Sequence, residues 1–316
     1  MGNFMDNELK VIVVCGGIST EREVSLRSGA AVFEALVGYG YKNVELFDLT
    51  KDNLSSLIAK KPDIAFLALH GKGGEDGCIQ GALSLAGIAY TGPGVEASAV
   101  CMNKILTKEV LRAHRLPTPK SLTLHRDECV DKTGVTERLL REIGLPMVLK
   151  SPCQGSSIGV VIVRDEQRIA DAMAEIFSYG DLLLVEEFLD GVELTLPIFG
   201  NSELVVLPDI EITSENEFYD YEAKYTKGLC HHIIPARISD ETREAVRDVG
   251  TRAYRALGCR GLSRIDFIVD SKKGPHIIEV NTIPGMTEMS LFPDAAREAG
   301  ISFGELLSRL IELGLE

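Results

Sequence analysis

The sequence contains no tryptophan, no Cys-x-x-Cys pair and no long apolar run. Its longest stretch without a charge, residues 77–95, carries five glycines and one proline and would make a poor membrane helix. The first ten residues lack the basic region and apolar core of a signal peptide. Seven scattered cysteines indicate reduced thiols rather than a disulfide framework or a zinc site. We therefore predict a cytoplasmic protein that does not associate with membranes.

Two common nucleotide-binding motifs are also missing. The pattern Gly-x-x-x-x-Gly-Lys-Ser/Thr is absent, which argues against a P-loop. No Gly-x-Gly-x-x-Gly occurs, since the pattern begun at Gly71 and Gly73 ends on Asp76, which disfavours a dinucleotide-binding oxidoreductase. Basic residues are too few for nucleic acid, because 33 Lys and Arg against 47 Asp and Glu give a net charge of −14. This net charge is still compatible with binding of a small anion, because a few local cations and backbone N–H groups can hold it.

The length of 316 residues and a hydrophobic content of 45% predict an ordered protein of two or three domains. Residues 10–15 form an apolar run that ends at Gly16 and Gly17, typical of a strand buried on both faces. Thr20 and Glu23 match a capping box, which predicts that a helix begins there. Strands over 43–49 and 64–70 complete a parallel α/β unit.

A second region follows, with a helix predicted over residues 96–115 and Lys104 in its middle. Strands at 146–150 and 160–163 flank the Gly/Ser loop 151–159, which predicts a hairpin flap. Its N–H groups and hydroxyls could cover phosphates beside the charge of Lys150. Gly and Ser alone slightly favour an ordinary flexible β-turn, so both interpretations stay open.

The most informative pattern is Arg264-Ile-Asp266 followed by Glu279-Val-Asn281. If residues 271–274 are the loop of a hairpin, Asp266 lies opposite Glu279 and Arg264 opposite Asn281. All four side chains then share one face of the sheet, because side chains alternate along a strand. The alternative is a solvated polar strand end, since the register depends on an assumed loop.

Two carboxylates facing each other at about 5 Å repel unless a cation lies between them. Hard oxygen ligands of this kind suit Mg²⁺, which takes one or two carboxylates and completes its shell with water and phosphate. This arrangement of Asp266, Glu279 and Asn281 therefore favours a magnesium site.

Other candidates are weaker singly. Glu21 lies in the first turn of a helix, where acids are common for structural reasons. His70 closes a strand of the parallel sheet, at the edge where ligands bind, and both a binding and a structural role stay open. A metal site at Cys230-His231-His232 is disfavoured, because adjacent residues of a strand point to opposite faces. The segment 219–225 is typical of either an active-site lid or a surface loop.

Together these stretches resemble the D-alanine-D-alanine ligases of the ATP-grasp superfamily, nearly end to end. The stretches that carry the resemblance are Glu21 to Ser25, Leu69 to Gly71, Gly73 to Gly77, Tyr90 to Gly92, Lys150 with Gly155 to Ser157, Tyr219 to Tyr225, Arg264 to Asp266, and Glu279 to Met286. The resemblance implies a three-domain ATP-grasp α/β fold. An N-terminal parallel α/β domain (1–92) would precede two α+β domains that clasp ATP, a central one with the flap (93–186) and a C-terminal catalytic and metal-binding one (187–316).

The resemblance also implies the activity. ATP would phosphorylate the carboxylate of one D-alanine, and the amine of a second would attack the acyl phosphate to give D-alanyl-D-alanine for peptidoglycan synthesis. Two Mg²⁺ ions, with Mn²⁺ as an alternative, would bind Asp266, Glu279 and Asn281. We expect a homodimer. D-alanine and ATP are the expected small-molecule partners.

The family's ATP-binding and catalytic positions map onto residues of this chain. The resemblance implies that ATP is bound by Lys104, Lys150, Ser156, Ser157, Glu186, Glu187, Leu189, Glu193 and Lys224. It implies catalytic roles for Glu21, Ser156, Lys224, Tyr225 and Arg264, with Tyr225 linked to Ser156 and Glu21. D-alanine would be bound by His70, Gly285, Ser290 and Leu291.

Two departures from the family pattern and two alternatives accompany this interpretation. Ser151-Pro-Cys-Gln154 replaces the usual Pro and polar residue after Lys150, and Glu187 stands where a Lys is common near adenine. A ligase for D-lactate or D-serine is the closest rival, but Tyr225 favours an amine nucleophile. A catalytically silent nucleotide-binding protein is the other, and the retained Asp266 and Glu279 argue against it.

Overall fold

The computed structural model describes residues 8–155, 158–214, 230–287 and 290–316. Within these residues the strands form three sheets, and the first is the predicted parallel one. It has the order β2-β1-β3-β4, with strands β1 (Lys10–Gly16), β2 (Asn43–Leu49), β3 (Ile64–Leu67) and β4 (Ala89–Tyr90). The helices between these strands are α1 (Arg22–Tyr39), α2 (Leu54–Ala59) and α3 (Cys78–Leu85). Strand β1 is buried from Val11 onward, as its continuous apolar run predicts.

The predicted capping box at the start of α1 is wrong. The helix begins at Arg22, Glu21 occupies the position before it, and no side chain caps it. The hydroxyl of Ser19 instead accepts from the Glu21 backbone N–H at 3.1 Å and donates to the carbonyl of His70 at 2.6 Å. Ser19 thereby fixes this turn against the loop that follows β3.

The second sheet is antiparallel and contains the predicted flap hairpin. Its order is β5-β8-β6-β7, with strands β5 (Ser121–His125), β6 (Met147–Lys150), β7 (Val160–Val163) and β8 (Leu182–Glu187). The helices of this region are α4 (Val95–Met102), α5 (Lys104–Ala113), α6 (Lys132–Glu142) and α7 (Ile169–Ile176), with short 3₁₀ turns at Arg126–Cys129 and Glu166–Arg168. The strands β6 and β7 pair antiparallel on either side of the Gly/Ser loop, which confirms the hairpin.

The single helix predicted over 96–115 is in fact two helices, α4 and α5. Asn103 breaks it: its backbone is extended and its side chain accepts from the N–H groups of Ile105 and Leu106. An Asn in this position favours a new helix start over continuation. Lys104 is therefore the first residue of α5 and does not lie in the middle of a long helix.

The third sheet carries the hairpin that the sequence singled out. Its path is β12-β11-β9-β13-β14, with β10 also paired to β9. The strands are β9 (Gly191–Gly200), β10 (Leu204–Val206), β11 (Ile210–Ser214), β12 (Cys230–Ile233), β13 (Leu262–Asp270) and β14 (Gly274–Asn281). The helices are α8 (Asp240–Ala256), α9 (Leu291–Glu298) and α10 (Phe303–Leu315). Ser239 caps α8 by accepting from the Thr242 N–H.

The last two helices return to the first sheet. Leu306, Leu310 and Ile311 of α10 belong to the same buried cluster as Val11 of β1 and Phe66 of β3. This packing places the loop between β14 and α9 beside the carboxyl end of β3. The fold thus brings residues from both ends of the chain to one place.

Candidate active site

In the β13–β14 hairpin the functional residues pair as predicted, but the loop is one residue shorter than predicted. Asp266 pairs with Glu279 and Arg264 with Asn281, as expected. The predicted loop 271–274 is wrong, because Asp270 already pairs with Gly274 and leaves a loop of residues 271–273. A β-bulge between Asp266 and Phe267 compensates for the lost residue. The tight loop forms because Gly274 takes a φ of +78° and the Asp270 carboxylate accepts from the backbone N–H groups of Lys272 and Lys273.

The carboxylate of Asp266 is held by donors from three directions. Arg264 donates to it from Nε at 2.9 Å and from Nη2 at 2.8 Å, a bidentate pair. The Asn281 amide donates at 2.9 Å, and the Thr195 hydroxyl of β9 at 2.5 Å. Asp266 is buried. Its orientation is therefore fixed by its neighbours.

The carboxylate of Glu279 is paired with Lys104. The Lys104 Nζ lies 2.7 Å from Glu279 Oε1 and donates at 2.8 Å to the carbonyl of Gln154 in the flap. The Lys104 backbone N–H donates to the carbonyl of Pro152 at 3.0 Å. Burial disfavours the ammonium, but Glu279 outweighs it and raises the pKa of Lys104. The start of α5 thus joins the flap to the hairpin.

The opposed pair fits a small divalent cation by its donor chemistry. Asp266 and Glu279 are register partners, and Asn281 donates to Asp266 from its nitrogen, which leaves the amide oxygen as an acceptor. Among the described residues no group of three or more His, Cys, Asp or Glu side chains could enclose a metal by itself. Two carboxylates and one amide oxygen are the partial oxygen set that Mg²⁺ uses when phosphates complete its shell.

A second charged cluster lies at the end of β8. Glu186 is buried, with Lys150 Nζ 2.6 Å from one carboxylate oxygen and Lys108 Nζ 2.7 Å from the other. Burial opposes ionisation of Glu186, but the two ammonium groups lower its pKa to about 2. Sequence reasoning identified Glu186 and Lys150 and missed Lys108. The available signal was its spacing of four residues from Lys104, which places both on one side of α5.

The carboxyl end of the first sheet contributes His70. Its Nε2 lies 3.1 Å from the Ser28 hydroxyl and its Nδ1 3.2 Å from the Ile283 carbonyl. Burial lowers the pKa of His70 despite the charge of Glu21, so the ring is neutral at pH 7. His70 therefore links α1 to the loop after β14.

Glu75 is a site residue that sequence reasoning did not single out. It accepts from the Gly71 N–H at 2.7 Å and from the Ile283 N–H at 3.4 Å. Burial raises its pKa to about 8, and the charges of Glu21 and Glu279 act in the same direction. Its position in the Gly-rich segment after His70, at the edge where ligands bind, was the signal that could have found it.

Some of these groups meet at one small cavity of about 30 Å³. Among its lining residues are Glu21 and Glu75 from the first region, Lys104 from α5, Glu279 from β14 and Gly155 from the flap. The flap approaches Glu21 closely, since a Cβ on Gly155 would lie 3.2 Å from Glu21 Oε2. Glu21, Glu75 and Glu279 therefore share one site, with Asp266 as the register partner of Glu279.

The loop after β14 and the start of α9 carry the predicted substrate residues Gly285, Ser290 and Leu291. Ser290 Oγ accepts from the Thr287 N–H at 3.0 Å, and a Cβ on Gly285 would lie 2.9 Å from that oxygen. Leu291, the first residue of α9, is buried. Glycine at 285 thus lets the backbone pass beside Ser290 without displacing it.

Comparison with known proteins assigns this arrangement to a family. The model for the D-ala D-ala ligase C-terminus matches residues 110–312, and that for the D-ala D-ala ligase N-terminus matches residues 48–93. The D-alanine--D-alanine ligase of Carboxydothermus hydrogenoformans is 48% identical over 98% of this chain and 99% of its own length. The chain belongs to the D-alanine-D-alanine ligase family.

Solved structures agree with this membership. The D-alanine--D-alanine ligase of Bacillus anthracis, 34% identical, has a TM-score of 0.85 with 97% of each chain covered. The same ligase complexed with ATP has a TM-score of 0.82 and covers 98% of each chain. The VanG D-Ala:D-Ser ligase of Enterococcus faecalis is 30% identical, with a TM-score of 0.82 over 97% of this chain and 99% of that one. The predicted ATP-grasp fold is thus confirmed.

Several residues predicted to bind the nucleotide lie on and beside β8. Glu187, the departure from the family's lysine, accepts from the Lys120 N–H at 2.9 Å and pairs with Lys273. Leu189 is buried, and Glu193 lies on β9 opposite Ile268. Four predicted residues lie outside the described residues: Ser156, Ser157, Lys224 and Tyr225. The whole segment 219–225, which contains Lys224 and Tyr225, lies outside them as well.

The Cys230-His231-His232 segment does not join the site. It forms β12, and His232 Nδ1 lies 2.8 Å from Asp294 Oδ2 in α9. This pair gives His232 a structural contact with α9.

Proposed function

We propose that this protein ligates two D-alanine molecules to D-alanyl-D-alanine with hydrolysis of ATP to ADP, for peptidoglycan synthesis. The observation that carries the proposal is the shared cavity in which Glu21 meets Lys104 and Glu279. A carboxylate suited to an amino-acid ammonium there faces a lysine and a carboxylate suited to a metal-bound phosphate. Membership of the ligase family supports the same conclusion.

The nucleotide would lie between the second and third sheets. Lys104 and Lys150 would bind its phosphates, with the flap hydroxyls of Ser156 and Ser157 above them. The backbone from Glu186 to Leu189 would meet the adenine edge, and Glu193 the ribose. Glu186 interacts with both of these lysines. Lys150 forms an ion pair with Glu186, and the charge of Glu186 contributes to the raised pKa of Lys104.

Asp266, Glu279 and Asn281 would hold two Mg²⁺ ions, with Mn²⁺ as an alternative. A bound divalent cation neutralises charge on the transferring phosphoryl group. The protein's own contribution is the fixed orientation of Asp266, which four hydrogen bonds maintain.

The amino-acid substrates would bind between the first sheet and the loop after β14. Glu21 would hold the ammonium of the first D-alanine, beside His70. Arg264 and the Gly285 N–H would stabilise the developing oxyanion. Ser290 and the Leu291 N–H would take the carboxylate of the second D-alanine. Lys224 would meet the transferred phosphate, and Tyr225 would position the attacking amine.

Three further properties are proposals with partial support. The presence of three sheets supports the three domains predicted at 1–92, 93–186 and 187–316, although α10 packs back on the first sheet. Placement in the cytoplasm agrees with the free cysteines among the described residues. In the described part of the chain, no helix is long and apolar enough to cross a bilayer. A homodimer stays a prediction.

Phosphate release from ATP, measured with different substrates, tests the activity. We expect release with D-alanine together with the dipeptide, and little with L-alanine, D-lactate or D-serine. Preference for D-serine or D-lactate would replace the proposal with that of a related ligase. Calorimetric binding of Mg-ATP without turnover on any of them would identify a silent nucleotide-binding protein.

A further inference from the structure

The cluster around Glu186 contains more positive than negative charge. Two ammonium groups, from Lys108 and Lys150, contact the one carboxylate. Their side chains are 3% and 12% exposed, and that of Glu186 is 2% exposed. Burying an excess charge is costly unless an opposite charge is present or arrives with a ligand. The excess therefore indicates an anion-binding role for the cluster.

The two lysines differ in what they can do. Lys108 Nζ has three donors and three acceptors around it: Glu186 Oε1, the Thr118 hydroxyl at 2.7 Å and the Pro119 carbonyl at 3.4 Å. Thr118 in turn donates to the Ile277 carbonyl of β14 at 2.9 Å, so its lone pair is directed to Lys108. The Lys108 ammonium is thus surrounded by oxygens of the protein and is not directed at a substrate.

Lys150 is the more exposed of the two and stands at the base of the flap. Paired with Glu186 alone it would form a neutral ion pair with little attraction for a phosphate. The charge of Lys108 cancels that of Glu186 and leaves the charge of Lys150 uncompensated. Burial lowers the pKa of Lys108 to about 8 against the pull of Glu186, so Lys108 is mainly protonated at pH 7.

We propose that Lys108 is a positioning residue that neutralises Glu186 and so keeps Lys150 available as a cation for the nucleotide phosphates. This inference rests on the proposed function, in which Lys150 binds ATP. It deepens that function by assigning a role in nucleotide binding to Lys108, which does not itself touch the nucleotide.

A charge-balance cycle at pH 7 tests the proposal, with ATP affinity measured by calorimetry in Mg²⁺ buffer. Lys108→Met removes the compensating charge at similar length and should weaken ATP binding about tenfold or more. The double variant Lys108→Met/Glu186→Gln removes one charge of each sign, leaves Lys150 uncompensated again and should restore affinity to within about threefold of wild type. Glu186→Gln alone completes the cycle and should weaken ATP binding less than Lys108→Met does, because it removes a negative charge and not a positive one. Lys132→Met, at an exposed lysine that begins α6, is the matched control.

Comparison of ATP binding with AMP binding distinguishes a loss of charge compensation from a displaced adenine edge. Loss of charge compensation should weaken ATP binding more than AMP binding, since ATP carries more phosphates, whereas a displaced adenine edge would weaken both equally. Equal losses for ATP and AMP in folded Lys108→Met would overturn the proposal. So would a folded double variant whose ATP affinity stays about tenfold or more below that of wild type, and this comparison with wild type holds even if the single variant fails to fold. Wild-type protein that binds no ATP would overturn both this inference and the proposed function.

Discussion

The Lys104 ammonium lies 2.7 Å from the Glu279 carboxylate, although 175 residues separate the two in sequence. Lys104 begins α5, Glu279 lies on β14, and the same ammonium binds the flap carbonyl of Gln154. The Lys104 ammonium thus links α5, β14 and the flap. In the proposed reaction this pair separates, because phosphate is the partner expected for Lys104 and Mg²⁺ the partner expected for Glu279.

Glu279→Gln should lower Mg-dependent turnover by roughly two orders of magnitude or more, because it removes one charge from the proposed metal site. The fold should persist, since Gln has the same shape. Phosphate release with ATP and D-alanine measures the effect. The exposed Glu298→Gln is the control and should retain wild-type turnover. Wild-type turnover in Glu279→Gln would show that the opposed carboxylates do not hold the metal.

Tyr225→Phe should change the choice of nucleophile. Loss of the hydroxyl removes a hydrogen bond proposed to orient the attacking amine, so dipeptide formation should fall by about tenfold while use of D-lactate rises relative to it. The ratio of the two products at matched substrate concentrations is the measurement. An unchanged ratio would mean that Tyr225 does not select the nucleophile.

Glu75 should make stability depend on pH. Its folded pKa of about 8 lies above its usual value of 4.5, so the stability it contributes is full below pH 4.5 and is lost as pH rises through 8. Between pH 5 and pH 8.5 the Tm of wild type should fall by roughly 2–4 °C more than that of Glu75→Gln. Thermal unfolding at both pH values, without nucleotide, decides this. Parallel Tm profiles for the two proteins would show that the Glu75 carboxyl is not held neutral.

Gly285→Ala should impair binding of the second D-alanine. The added Cβ would lie 2.9 Å from Ser290 Oγ, so Ser290 must shift. The KM for D-alanine at the second site should rise about tenfold, with a much smaller change in the KM for ATP. Gly38→Ala, in α1 where a Cβ meets nothing within 4 Å, is the control. Equal increases in both KM values would point to general misfolding.

The hairpin shows how far sequence reasoning could reach. Alternation of side chains predicted that Asp266 faces Glu279 and that Arg264 shares their face with Asn281. The bulge between Asp266 and Phe267 was not predictable, because it depends on how the loop closes at Gly274. The break at Asn103 was missed because no glycine or proline marks it, and only the cap geometry divides the helices.

The sequence by itself determined which local elements form and which side chains share a face, because strand alternation, helix caps and glycine turns act over a few residues. It also determined family membership, through motifs kept in order along the chain. Only the tertiary structure decided which charges meet. Lys104 with Glu279, Lys108 with Glu186, and Glu75 with the Ile283 N–H come from distant segments, and packing of the sheets against one another sets their distances and burial. Burial then fixes their protonation, since desolvation and neighbouring charges have no counterpart in the linear order of residues.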